Sequence, residues 1–360
     1  MFVNGIIDMQ PKKYFPMITV LRLPFIIGII LFHTHAYFGD PCSSLLGSVY
    51  RQGGSLGNIF FYMSSGFLMS LHYRNRIAEQ KISLSSFLLN RLLSIYPLFF
   101  VSNLVQLCLI YSSGGLPDWP LSKSFLSMLL VSEGWVSSIE PPNFPTWFIS
   151  LLVLCYLLFF IICHFTKTRN SYRIVIILLI LWGYYLRGNP LNFPFCYAVT
   201  GSAEMYFFEG CLISELLFSS KEVRKVYSVF SFTCFFILIL FSLINGFTAA
   251  AGDTGLIYSV TLMPCIFIIA SRDNLFTAIC SKRVLLSICS LSMHLFFWHI
   301  PVFTLMKRIQ EKTNIHHTLS GWQNMLLYLA ALIAVSVVSQ VVSALISKKC
   351  QKVKTWVNSF

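Results

Sequence analysis

Residues 17–38 read MITVLRLPFIIGIILFHTHAYF, and this run decides the architecture. It is long enough to cross the hydrocarbon core of a bilayer, about 30 Å, as one helix. Its only Arg, Lys, His, Asp or Glu side chains are Arg22, His33 and His35. Such groups are costly in lipid, so they are expected to face a protein interior or a wet cavity. Arg22 and His33 are eleven residues apart, a rise of about 16 Å and close to three full turns, so both project from nearly one face. His35 lies about 200° around the helix from His33 and points largely elsewhere. A charged group near one membrane surface with an imidazole deeper along the same face is the layout of a reaction path across a bilayer.

The rest of the chain repeats that pattern. Of 360 residues, 56% are hydrophobic and 11% charged. That is about half the charged fraction usual for a soluble domain. Apolar runs near 20 residues alternate with short polar loops, which predicts one all-α polytopic domain with a core over about 17–346. Ten spans are expected, near 17–38, 54–72, 94–111, 146–165, 174–186, 196–218, 227–246, 256–270, 284–306 and 325–346. The run 125–131 is too short to span and reads as re-entrant or interfacial. The first run is too long for a signal h-region and has no small-residue cleavage site behind it, so it reads as retained.

The net charge of +13 sits in alternate loops, which points to a membrane and away from nucleic acid. With the N-terminus inside, nineteen Lys and Arg fall on the inner side and six on the outer, predicting both termini in the cytoplasm. The eleven cysteines form no C-x-x-C pair and no metal-ligand spacing, so no disulfide framework, zinc site or other metal is expected. The longest outer loop, 112–145, is rich in Gly, Pro and Ser and is suited to cover an outward-facing mouth.

That orientation sorts the polar residues into two depths. Arg22 and Arg91 come near the inner surface. His33 and His299 fall in the outer half, with Glu204 beside them and Glu209 nearer the middle. Each has a bland alternative: a helix-packing hydrogen bond for a histidine, an interfacial anchor for Arg91 or Trp147, close helix approach for Gly66. Buried carboxylates need a partner, so Glu204 and Glu209 are harder to dismiss.

Four segments resemble motifs of the acyltransferase-3 family of integral membrane acyltransferases, which O-acetylate bacterial surface polysaccharides. Leu21-Arg22 to Phe32-His33 is similar to its arginine–ten residues–histidine signature. Phe60-Phe61-Tyr62-Met63-Ser64-Ser65-Gly66-Phe67-Leu68 resembles F-F-x-x-S-G-F-L. Arg91-Leu92-Leu93-Ser94-Ile95-Tyr96-Pro97 resembles R-x-x-R-I-x-P, and Ser292 to Pro301 resembles S-x-x-L-Y-L-x-H-x-P. Pro145-Thr146-Trp147 opening the fourth span is a weaker fifth match. The likeness runs over about 17–305. Two positions depart from it: Ser94 replaces the second arginine, and Leu152 stands where many members carry a glutamate.

The resemblance implies a ten-helix enzyme, without a permanently bound cofactor, in the inner membrane of a bacterium. It implies transfer of an acyl group, most simply acetyl, from cytoplasmic acyl-CoA (acetyl-CoA) to a hydroxyl of a cell-surface or lipid-linked saccharide. Arg22 and Arg91 would meet the CoA phosphates. His33 would act as general base or carry the acyl group, with His299 and Glu204 orienting it. His35, Ser65, Trp147 and Glu209 would line the acceptor's path. A flippase for a lipid-linked glycan would use the same polar interior without chemistry. A membrane glycosyltransferase fits less well, because the outer loops are short and lack an Asp-x-Asp pair.

Overall fold

A computed structural model describes residues 14–38, 47–112, 121–136, 139–191, 193–245, 254–313 and 321–357. Among them every regular element is helical: α1 Pro16–Phe38, α2 Gly47–Ala78, α3 Leu84–Ser112, α4 Leu121–Met128, α5 Trp147–Phe165, α6 Arg169–Gly188, α7 Ala198–Leu217, α8 Lys221–Asn245, α9 Thr254–Val260, α10 Leu262–Ala270, α11 Leu275–Cys280, α12 Arg283–Cys289, α13 Ser292–Thr313 and α14 Gly321–Val357. The fold is therefore all-α, and each of the ten expected spans has a helical counterpart. By length and composition seven of the described helices can cross a membrane: α1, α3, α5, α6, α8, α13 and α14. The expected re-entrant run is the eight-residue α4, too short to span.

The three expected spans that miss that standard explain the packing. Two of them, α2 and α7, are polar: α2 carries Asn58, Ser64, Ser65 and Arg74, and α7 carries Glu204, Glu209 and Glu215. Helices of that composition are held away from lipid, and here they pack on each other, α2 also on α1 and α7 also on α6. The α2–α7 contact is close because it has no side chain at its crossing. A Cβ on Gly66 would fall on the Phe207 carbonyl, and one on Gly210 on the Met63 carbonyl. The motif glycine is a packing residue, as its bland reading had it. At one end of α7, buried Glu215 ties α6 to it through Arg169 (3.2 Å) and Arg173 (3.5 Å).

The third such span is two pieces, α9 and α10, with a break at Thr261. Pro264 has no N–H to give the Val260 carbonyl, and α9 ends at Val260. Three further prolines, Pro24, Pro97 and Pro301, lie inside site-bearing helices, and the carbonyls freed by Pro24 and Pro301 find a partner on another element. Pro24 in α1 frees Val20 O, which meets Cys289 Sγ of α12 at 3.5 Å. Pro301 in α13 frees Phe297 O, which accepts from Asn143 Nδ2 at 2.8 Å.

Candidate active site

Two cavities meet inside the bundle between α1, α2, α5 and α13. The inner one, about 390 Å³, is lined by Arg22, Ser64, Ser65, Arg91, Ser94, Leu152, Tyr156 and Ser292, among others. The outer one, about 330 Å³, is lined by His33, Ser55, Glu133, Phe144, Pro145 and Trp147. Ile29, Asn58 and Phe296 line both, so the two adjoin at a waist that these three side chains form.

The inner end holds cationic groups without a carboxylate. Among the described residues Arg22 makes no hydrogen bond or ion pair; the Tyr156 ring stands near it. Arg91 donates to the Tyr73 hydroxyl and lies over that ring, while its buried Nε has no hydrogen-bond partner. Ser94, in place of a second arginine, donates to the Arg91 carbonyl at 2.8 Å and adds no charge. Ser65 and the buried Tyr156 face this cavity together. An unpaired guanidinium enclosed by protein is costly until it meets an anion, so this end is a site for one.

The outer end is built around two imidazoles. The His33 and His299 rings lie 5.3 Å apart between centroids, and the Phe144 ring stands edge-on to His33 at 5.1 Å. His299 is fully buried. Its Nδ1 faces the Phe296 carbonyl, which can only accept, so Nδ1 carries the hydrogen and Nε2 the lone pair. That buried Nε2 has no hydrogen-bond partner among the described residues.

The wall opposite His33 is positioned by a polar network on fully buried Asn143. Its Nδ2 donates to Phe297 O and, at 3.2 Å, to Ser102 Oγ; its backbone N–H donates to Asn103 Oδ1 at 3.0 Å. Thr146 Oγ1 donates back to the Asn143 carbonyl at 2.7 Å. This fixes the 3-10 turn Phe144–Thr146 to α3 and α13, and so sets Phe144, Pro145 and Trp147 at the cavity. Glu133 is delivered by the preceding segment. Ser150 bonds to that segment at Leu130 O and Ser132 N, and Thr200 Oγ1 donates to Gly134 O at 2.9 Å. Gly134 has φ +95°, a left-handed conformation that glycine adopts without strain. Half-buried, with Glu140 near it, the Glu133 carboxyl is raised above its ordinary pKa, chiefly by lost hydration.

The structure thus brings Arg22, Arg91, Ser65, His33 and Trp147 to two adjoining cavities, with His299 packed against His33 but lining neither. It does not bring Glu204 or Glu209 there. Both sit on α7, which packs chiefly on α2 and α6 and lines neither cavity. Glu204 is buried near Cys155 with Oε2 unpaired, and Glu209 accepts from Ser259 Oγ at 3.3 Å. The expectation that Glu204 orients His33 and that Glu209 lines the acceptor path is corrected accordingly: α7 holds both on another side of the bundle. His35 lies in α1, and its side chain is outside the described residues. Asn58, Glu133, Tyr156 and Asn143 were missed from sequence. For Asn143 a signal existed, since a proline four residues after Phe297 requires an outside donor. Among the described residues no group of three His, Cys, Asp or Glu converges as metal ligands.

A family model described as an acyltransferase domain matches residues 16–344. No curated protein matches the chain, and no solved structure does.

Proposed function

The chain belongs to the acyltransferase-3 family, which makes it a membrane acyltransferase, and on that premise we propose what it transfers and how. The donor is acyl-CoA, acetyl-CoA in the simplest case, entering from the cytoplasm of a bacterium. The acceptor is a hydroxyl of a cell-surface or lipid-linked saccharide at the outer face of the inner membrane. The observation that carries this reading is the adjoining pair of cavities, with unpaired Arg22 lining one and His33 the other. The inner-to-outer direction rests on the excess of basic residues in alternate loops.

In this reading the donor's phosphates lie against Arg22 and Arg91, where guanidinium groups match them in charge and geometry. The pantetheine arm runs along α1, past Asn58, and presents the thioester to His33. The rise of about 16 Å between Arg22 and His33 suits an extended arm. His33 takes the proton of the acceptor hydroxyl, and the oxygen adds to the thioester carbonyl. The tetrahedral intermediate collapses by breaking its carbon–sulfur bond. The departing thiolate receives the proton from His33, leaving an ester and a free thiol with no net change in charge. Asn58 supplies an amide N–H for the carbonyl oxygen at the waist, and an oriented donor there acts mainly on the transition state. His299 holds the His33 ring. Trp147 and Glu133 form the acceptor side, an aromatic face and a carboxylate for sugar hydroxyls.

The test is acylated product per unit of inserted protein, with purified enzyme, acetyl-CoA and a saccharide acceptor. His33→Ala and His33→Gln should both fall by at least about 100-fold, because an amide hydrogen-bonds but cannot take the proton. His35→Ala should retain most activity. Substantial activity in His33→Gln would return His33 to a packing role. Donor-independent movement of the glycan by the purified protein would favour a flippase instead.

A further inference from the structure

Away from the adjoining cavities, α8 and the end of α10 enclose an open groove of about 940 Å³. Its rim is basic: Lys221, Arg224 and Lys225 from the first turns of α8, and Arg272 just beyond α10, against one acid, Asp273. None of these four cations is in an ion pair among the described residues. For the three on α8 the position is electrostatically adverse, since the start of a helix carries partial positive charge and favours anions. The Arg272 end is nonetheless a built feature. Arg272 donates to Ser228 Oγ of α8 at 2.8 Å, and its carbonyl accepts from Asn274 Nδ2 and Thr277 Oγ1 at 3.0 and 3.2 Å.

Beyond the rim the groove turns apolar. Val229, Phe232 and Phe236 follow along α8 at spacings of three and four residues, one stripe of a helix face, and all three are exposed. From Lys221 to Phe236 the helix rises about 22 Å. A basic end continuing into an apolar trough of that length matches a molecule with an anionic head and a hydrocarbon tail. Basic pockets between membrane helices on the cytoplasmic side recognise such headgroups.

We propose that this groove is a binding site for one anionic phospholipid, its phosphate between Arg224 and Arg272 and one acyl chain along Val229, Phe232 and Phe236. The bound lipid supplies counter-charge to Arg224 and Arg272, which the first-turn acid Glu222 does not pair with, and fills the space between α8 and α10. The site shares no lining residue with the cavities around His33, so it stands or falls apart from the acyl-transfer reading.

The experiment is native mass spectrometry of the full chain in detergent, titrated with phosphatidylglycerol or phosphatidylcholine of matched chains. The wild type is expected to retain phosphatidylglycerol at least tenfold better. The Arg224→Gln/Arg272→Gln pair should lower it to the phosphatidylcholine level, while Lys167→Gln, an exposed basic site elsewhere, should not. Equal retention of the two lipids by the wild type, or a double variant that keeps the preference, overturns the proposal. A delipidated protein that binds inorganic phosphate or CoA through Arg224 and Arg272 without preferring the anionic lipid overturns it too, and reassigns the site to a soluble phosphate. Should the double variant fail to fold, phosphatidylglycerol with a photoreactive acyl chain decides on the wild type. Labelling within 229–236 supports the site, and labelling confined elsewhere refutes it.

Discussion

Replacing Asn143 with alanine tests whether the outer cavity is held in place by the carbonyl that Pro301 frees. The substitution removes two donations, to Phe297 O at 2.8 Å and to Ser102 Oγ at 3.2 Å. They are unequal. Ser102 still donates to Phe99 O at 3.0 Å, so its loss is one net hydrogen bond, about 0.5–1.5 kcal/mol. Phe297 O has no N–H at residue 301 to fall back on and becomes a buried, unsatisfied acceptor, which costs about 1–3 kcal/mol. The sum is about 1.5–4.5 kcal/mol, towards the upper end for a single substitution. Pro301→Ala restores the missing N–H. In that background the Phe297 share of the loss should vanish, and Asn143→Ala should cost only about 1 kcal/mol. The assay is thermal inactivation of the four proteins in one detergent, with acyl transfer per folded protein measured alongside. Activity should follow stability, because Phe144 beside His33 loses its anchor, while acyl-CoA binding at Arg22 should hold. An Asn143→Ala penalty of the same size in the wild type and in the Pro301→Ala background would refute the compensation.

Three further outcomes are expected. Arg22→Lys should keep its charge but lose the bidentate fork, weakening acetyl-CoA binding by about tenfold in calorimetry, with insertion normal; unchanged affinity in Arg22→Ala would remove this residue from the donor site. Glu133 has its carboxyl raised above the ordinary 4.5, so in the window just above that value the folded chain holds more proton than the unfolded one. Its contribution to stability therefore declines as pH rises through the window. Glu133→Gln should flatten that part of the thermal stability profile, and an unaltered slope would clear Glu133 of it. Finally, with both termini inside, a C-terminal reporter active only in the cytoplasm should be on and a periplasmic one off; the reverse would remove the direction assigned to the reaction.

Depth was legible in the sequence, and position around the bundle was not. Hydropathy and basic loops place a residue along the membrane normal, which was enough to put Arg22 with Arg91 and His33 with His299. They carry no information on which neighbour a helix meets. The sequence put Glu204 in the histidines' half of its span and Glu209 nearer the middle, yet α7 turns them towards Cys155 and Ser259. Asn58 and Tyr156 were hidden for the related reason that an amide or phenol in a span looks like packing until a second helix closes a cavity over it. Glu133 lies in a loop without periodicity, and its place depends on Ser150 and Thr200, which are distant in sequence.

The two helices that carry the histidines each have a proline inside them, as does α3, where Pro97 follows Ser94. Pro24 stands two residues after Arg22, and Pro301 two residues after His299. A proline inside a helix costs about 3 kcal/mol by removing a hydrogen bond and crowding the preceding turn. In an isolated span that loss would fall where lipid offers no substitute partner. Here the carbonyls freed by Pro24 and Pro301 are met from another element, Val20 O by Cys289 and Phe297 O by Asn143. The exchange converts a bond within a helix into a bond between helices. It therefore fixes α1 against α12, and α13 against the turn that bears Phe144 and Trp147. The Phe297 pin lies two residues from His299 and holds α13 to the Phe144 turn, while the Val20 pin holds α1 at its Arg22 end. The prolines, which read locally as defects, are what make those pins necessary and give each an acceptor to hold.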